Sequence, residues 1–258
     1  MKKLLWMLMI LSVLICAGCG NSNSQETEKI VIGLDESPLG YRNATGEFVG
    51  FEVSLAKETA KRMGVKAEFK LIDWDKKEEE LNSRRIDIIW NGLDITPARK
   101  QIILFSKPYM DSRQVITVKN GNPQGIYHVE DLEGKIVGAK AGTSSAIYIE
   151  ENENLKNSFK EFKLYNTDEE TFKALENDEI DALVADEIVG RFVINKQRGK
   201  FEIVETKIGF AREMGIGFRK DDTVLRDRVQ KAFDEVIKDG TAKRISEEWF
   251  QADLIKSK

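Results

Sequence analysis

Apolar positions along this chain change period several times. Ile30 to Leu34 is a short branched run and reads as a buried strand. From Phe51 to Met63 the spacing becomes helical: Val53, Ala56, Ala60 and Met63 share a face, and Gly64 supplies a stop. Ala67 to Ile72 returns to a strand. Asp75, with Glu78 three residues on, predicts a capping-box start for a polar helix reaching Arg84. Ile86 to Asn91 is apolar and empties into Gly92, as a strand entering a turn does. Further strands are expected at 135–139, 182–185 and 215–218. Two amphipathic helices finish the chain. Leu225, Val229, Phe233 and Val236 line the first, which stops at Gly240, and Ile245 and Trp249 face inward from the second. Trp90 and Trp249 are assigned to the core. Such alternation predicts an α/β protein built from βαβ units, with mainly parallel sheets flanked by helices.

An internal echo refines this. Leu81-Asn82-Ser83-Arg84-Arg85-Ile86-Asp87 and the strand after it match Leu175-Glu176-Asn177-Asp178-Glu179-Ile180-Asp181 and its strand. Two similar lobes would each present a strand end to a shared cleft, where open α/β sheets bind ligands. The expected division is 29–114 for the first lobe, 115–205 for the second, and 206–258 for the return and the C-terminal helices. Two crossings between lobes make a two-strand hinge.

Residues 1–18 read as a leader. Lys2 and Lys3 give a positive start, and Leu4 to Gly18 is apolar or small apart from Ser12, too short to span a bilayer comfortably. It ends Cys16-Ala17-Gly18-Cys19, which looks like a bacterial lipobox with Cys19 as the lipidated thiol, although Cys16 stands where Leu is usual. The alternative is an ordinary secretory peptide cut nearby. Lipidation would place the protein on the extracytoplasmic face of a membrane, with 19–28 as a polar tether. No thiol then remains for a disulfide or metal. Without Lys2 and Lys3, 38 basic side chains face 44 acidic ones, a net charge of −6. A mildly acidic domain with interspersed charges argues against nucleic acid.

Chemistry concentrates at strand ends. Gly92-Leu93-Asp94-Ile95-Thr96-Pro97-Ala98-Arg99 offers an arginine fork for a carboxylate and an acid for an ammonium group; a solvated surface turn is the plainer reading. Ala141 to Ser145 follows a strand and opens a helix, so it is either a simple cap or an anion site. Asp186, at the end of an apolar strand, either holds an ammonium group or caps the next helix. Trp74, between Asp73 and Asp75, is expected half-exposed in the cleft. Glu78-Glu79-Glu80 reads as a solvated helix face. His128 is the only histidine and has no serine or cysteine partner nearby in sequence, so neither a catalytic triad nor a histidine metal site is expected.

The motifs Ile32-Gly33-Leu34-Asp35, Gly50-Phe51-Glu52-Val53, Gly92-Leu93-Asp94-Ile95-Thr96 with Arg99, Phe105-Ser106 with Pro108-Tyr109, Ala141-Gly142-Thr143-Ser144 and Asp239-Gly240-Thr241 occur in an order that resembles polar amino-acid ABC-transporter substrate-binding lipoproteins, solute-binding family 3. The resemblance spans Lys29 to Phe250 and implies a two-lobed periplasmic-binding-protein type II fold that closes on one amino acid. It implies that Arg99 grips the α-carboxylate with Thr143, Ser144 and the Asp94 backbone. It further implies that Asp186 takes the α-ammonium beside Asn91 and the Gly92 carbonyl, and that Asp35, Trp74 and Lys140 meet the ligand side chain. The Asp35–Tyr41 loop is about two residues shorter than usual, so the aromatic opposite Trp74 is missing; Tyr41 is the candidate replacement. Lys140 favours a neutral or acidic ligand, whereas Asp94 and Glu36 favour a cation, so one of these charges must pair internally. The implied activity is capture and delivery to an ABC permease and its ATPase by a monomer, with no cofactor, metal or catalysis. A cyclohexadienyl-type dehydratase on the same fold and a ligand-binding sensor subunit are the alternatives.

Overall fold

The computed structural model describes residues 28–256. The leader, Cys19 and the tether as far as residue 27 lie outside the described residues. Strand β1 (Lys29–Leu34) leads through a short hairpin, β2 (Tyr41–Arg42) and β3 (Phe48–Val49), into α1 (Phe51–Met63) and then β4 (Lys66–Leu71). A 3-10 turn over Trp74–Lys76 precedes α2 (Lys77–Asn82), β5 (Ile88–Ile89), α3 (Pro97–Ile102) and β6 (Ile103–Phe105). The expected capping box at Asp75 does not form. Asp73 caps instead, accepting the Asp75 N–H at 3.1 Å, and α2 ends before Arg84 because that residue turns left-handed at φ 61.

Next come β7 (Met110–Lys119), β8 (Ile136–Lys140), α4 (Ser144–Glu151), α5 (Glu153–Ser158), β9 (Glu161–Tyr165), α6 (Asp168–Glu176), β10 (Ala182–Asp186) and α7 (Glu187–Lys196). The chain then runs through β11 (Phe201–Met214) and β12 (Gly217–Arg219) into α8 (Thr223–Lys238) and α9 (Thr241–Phe250). Two five-stranded sheets result, ordered β4-β1-β5-β12-β6 and β11-β7-β10-β8-β9. In each, three strands run parallel (β4-β1-β5 and β9-β8-β10), and antiparallel strands extend one side.

The sequence echo is a repeated packing device. Asp87 exchanges hydrogen bonds with Val31, its N–H donating to the Val31 carbonyl at 2.7 Å and its Oδ2 accepting the Val31 N–H at 3.0 Å. Asp181 does the same with Ile136, both at 2.8 Å. The preceding isoleucines press on a central strand where only glycine fits. A Cβ at Gly33 would lie 2.5 Å from Ile86 Cδ1, and one at Gly138 would lie 2.6 Å from Ile180 Cδ1. Arg84 and Asp178 both adopt φ 61 to make the turn before these positions.

The long strands β7 and β11 belong to the second sheet and run back to the first. Their antiparallel register extends from Phe201↔Lys119 to Met214↔Met110, with irregularities between Val204 and Ile208 and between Ile208 and Arg212. At the first-sheet end, the Tyr109 N–H donates to the Met214 carbonyl and the Gly215 N–H to the Leu93 carbonyl. The first turn of α7 contributes Ile188 to the large core that includes Ile30, Phe51, Trp90, Phe218 and Phe233. A separate core, with Ile116, Val137, Ala182 and Val184, underlies the second sheet.

Candidate functional site

Parallel strands bring their carboxyl ends together. From the first sheet, β1 delivers Asp35, β4 leads to Trp74, and β5 delivers Asn91 and Gly92. From the second, β8 delivers Lys140 and β10 delivers Asp186. A cavity of about 270 Å³ is lined by Asp35, Trp74, Asn91, Gly92 and Asp94 on one side and Ser112, Asp186, Ile188 and Val189 on the other. A second, about 310 Å³, is lined by Lys140, Thr143, Ser144, Asp168 and Gln114. Asp186 and Val189 line both.

Asp186 takes the capping role expected of it and turns its other oxygen to β7. Its Oδ1 caps α7 by accepting the Ile188 N–H at 3.0 Å, while Oδ2 accepts the Ser112 hydroxyl at 2.7 Å. Burial pushes its carboxyl up to about 6; the Ser112 and Ile188 hydrogen bonds oppose this, and the nearby acids Asp94 and Glu187 reinforce it. Among the described residues no lysine or arginine pairs with it. The adjacent Glu187, by contrast, is held below the usual carboxylate range: burial raises it, but Arg113 and Arg191 outweigh that. A negative charge in a water-poor cleft without a cation is a strong attractor for an ammonium group.

Gly92 turns at φ 68, which positions the Asn91–Asp94 loop, and a Cβ there would come within 2.7 Å of Leu39 Cδ1. Asn91 is buried and fixed on both ends of its amide, donating to the Asp35 carbonyl at 2.8 Å and accepting from the Ser37 hydroxyl at 3.3 Å. Asp35 is exposed, its carboxylate accepting only the Glu36 N–H among the described residues. Thr143 caps α4 through the Ala146 N–H, and its own hydroxyl donates to the Lys140 carbonyl.

Arg99 lines neither cavity. It is half-buried, with Nη1 donating to the Asp94 carbonyl at 3.1 Å and Nε 3.4 Å from Glu78 Oε1. Glu78 is thus a partner of the candidate carboxylate grip, and Glu80 pairs with Lys70 and Arg85, so of the acidic run expected to be a solvated face only Glu79 is exposed. Both sides of the predicted charge conflict pair internally: Lys140 with Asp168 at 2.8 Å, and Asp94 with Arg212 at 3.3 Å. Glu36 accepts the Arg42 N–H and lines neither cavity. Tyr41 does not replace the missing aromatic. Its ring packs edge-on against Phe192 and Trp249 at 6.1 and 6.4 Å, away from Trp74.

Ser112, Gln114, Asp168 and Arg212 were not anticipated. Ser112 and Gln114 carried a signal: polar residues two apart in a strand whose following residues are apolar. Both are buried. Asp168 and Arg212 sit among many exposed charges and carried none.

A model of the family described as "Bacterial extracellular solute-binding proteins, family 3" matches residues 30–252. The L-cystine-binding protein TcyJ of Escherichia coli is 32% identical over 235 residues, which is 90% of this chain and 86% of that one. The arginine-binding extracellular protein ArtP of Bacillus subtilis is 31% identical over 267 residues, 98% of this chain and all of its own. Among solved structures, a polar amino acid ABC uptake transporter substrate binding protein from Streptococcus thermophilus superposes with a TM-score of 0.79 at 31% identity, covering 88% of each chain.

Proposed function

This chain belongs to the bacterial extracellular solute-binding proteins of family 3, and on that premise we propose that it captures a polar amino acid between its two sheets and delivers it to an ABC permease. The observation that carries this reading is Asp186: a carboxylate raised to about 6, shared by two cavities and paired with no lysine or arginine among the described residues. An α-ammonium supplies that cation. Arg99 supplies the complementary fork for the α-carboxylate, with Thr143 and Ser144 as donors from the opposite sheet. Because Arg99 stands on α3 beside the first sheet and Asp186 at the end of β10 in the second, a ligand that bridges them favours closure of the hinge, and binding energy becomes conformational bias.

For the side chain, Asp35 and Trp74 form one wall and Lys140 with Asp168 the other. Since Asp168 offsets the Lys140 charge, a neutral polar side chain that both donates and accepts hydrogen bonds fits this wall best. Capture is reversible and needs no catalytic group; micromolar affinity corresponds to about 8 kcal/mol. We extend the proposal to a monomer held by a lipid on Cys19, with residues 19–28 as tether and 29–114, 115–205 and 206–258 as first lobe, second lobe and return. Among the described residues no helix is long and apolar enough to cross a membrane. Thermal-shift screening of the ligand-stripped protein against the twenty amino acids, cystine and ornithine tests the assignment. A concentration-dependent rise with one or two polar amino acids supports it, and no rise with any of them overturns it.

A further inference from the structure

Glu52 is a buried acid that ligand capture, as described, leaves unused. It is the second residue of α1 and only 1% exposed. Its Oε2 accepts the Gly92 N–H at 2.8 Å, and its Oε1 accepts the hydroxyl of Tyr109. Gly92 belongs to the candidate ligand loop. Tyr109 directly precedes β7, its N–H donates to the Met214 carbonyl at the end of β11, and its carbonyl accepts the Lys256 N–H. One carboxylate therefore touches both the ligand loop and the foot of the two crossing strands.

The surroundings are otherwise apolar or uncharged. The loop after β1 offers the Leu39 carbonyl, which accepts the N–H of Glu52 itself. The end of β5 offers the indole of Trp90, whose Nε1 has no hydrogen-bond partner among the described residues. Tyr109 is the titratable group that faces Glu52, and among the described residues no lysine, arginine or histidine pairs with it. Burying an unpaired carboxylate is costly, and an amide of the same shape has only one oxygen to accept with. A residue that must accept twice, from two separate elements, has a reason to be an acid.

We propose that Glu52 is a positioning residue for ligand capture, coupling the shape of the Gly92 loop to the two crossing strands, and that its ionisation tunes affinity. The proposal rests on the capture reading of the cleft. Burial pushes the Glu52 carboxyl up to about 7 against the pull of the Tyr109 and Gly92 hydrogen bonds, so both of its forms are populated near neutrality. The anion accepts from both partners. A proton on one oxygen removes an acceptor and weakens the grip on the loop, so affinity falls as pH falls through about 7.

The test follows the full chain by calorimetry between pH 5 and 8.5, with L-glutamine, L-cystine and L-arginine as probes. Amide exchange at Gly92 is followed in parallel without ligand. Expected for the unmodified protein is an about fivefold affinity loss around pH 7, the difference between a charged and a neutral hydrogen bond, above a separate loss near pH 6 from Asp186. Glu52→Gln should abolish the upper limb, keep the lower one and speed Gly92 exchange. Tyr109→Phe, which removes one stabilising hydroxyl, should move the upper limb to higher pH. An unchanged profile in Glu52→Gln, or Gly92 exchange that ignores both substitutions, overturns the proposal. If neither these probes nor any other amino acid of the thermal-shift panel binds the unmodified protein, the capture reading fails instead, while the exchange experiment still decides whether Glu52 holds the loop.

Discussion

Replacing Asp186 by Asn isolates the charge on which capture is proposed to depend. The amide keeps an oxygen for the Ile188 N–H and a polar group for Ser112, so the cap of α7 and the local fold should survive. Raising a carboxyl from 3.8 to about 6 corresponds to a cost of about 3 kcal/mol for the anion in the empty cleft. A ligand ammonium offsets that cost, and losing one partner of a desolvated pair weakens binding by about 2–5 kcal/mol, roughly 30-fold to several thousandfold. Titration calorimetry at pH 8 should show that loss. In the unmodified protein, affinity should fall by up to about tenfold per pH unit below 6, as Asp186 gains a proton that the ammonium must displace. The variant should be flat in that window. Stability has the opposite sign. The folded carboxyl titrates above its unfolded value, so the anion destabilises the empty protein above pH 6, and this penalty disappears as pH falls toward 3.8. Asp186→Asn should therefore be at least as stable as the unmodified protein at pH 8 and lose any advantage near pH 4. Wild-type affinity in the variant, or binding lost together with several degrees of melting temperature, would refute the reasoning.

Other outcomes test other parts of the structure. Arg99→Ala should abolish calorimetrically detectable binding and leave the circular dichroism spectrum intact; retained affinity removes Arg99 from the site. Gly33→Ala and Gly138→Ala should each destabilise by about 1–3 kcal/mol through the overlap with Ile86 or Ile180, read from denaturant midpoints. A neutral result at either position breaks the equivalence of the two units. Lys140→Met leaves Asp168 without its cation and should shift preference toward arginine over glutamine in a thermal-shift competition; the added substitution Asp168→Asn should reverse that shift.

Much of the architecture was legible because it is written in short periods. Helix α1 is bounded by the residues its spacing and Gly64 predict. The echo ending in Asp87 and Asp181 marked two units that share a turn, an isoleucine–glycine contact and a paired aspartate. What escaped was long-range. Glu52 reads as an ordinary acid in the first turn of a helix, since its partners stand 40 and 57 residues away. Asp168 looks like one of three acids opening α6 until the fold brings Lys140 to it. Asp73 displaced Asp75 as cap because the chain enters a 3-10 turn first, a distinction of two residues that spacing alone does not resolve.

The ribbon formed by β7 and β11 has a mechanical consequence. Its register is continuous from Phe201 to Val204 and again from Arg212 to Met214, with the Ile208↔Gln114 pair standing alone between two register shifts and Gly209 at φ 76 beside it. A ladder with missing rungs is soft where they are missing, and bulges add local twist. Compliance is therefore concentrated in one short section flanked by stiff ends, level with Ser112 and Gln114, two residues that line the cavities. Flexing there is a screw motion rather than a plain fold, because twist and bend are tied together in the same few residues. On the proposed capture reading, the elastic element and the ligand share an address, so a small molecule seated against Ser112 would act directly on the spring it has to load.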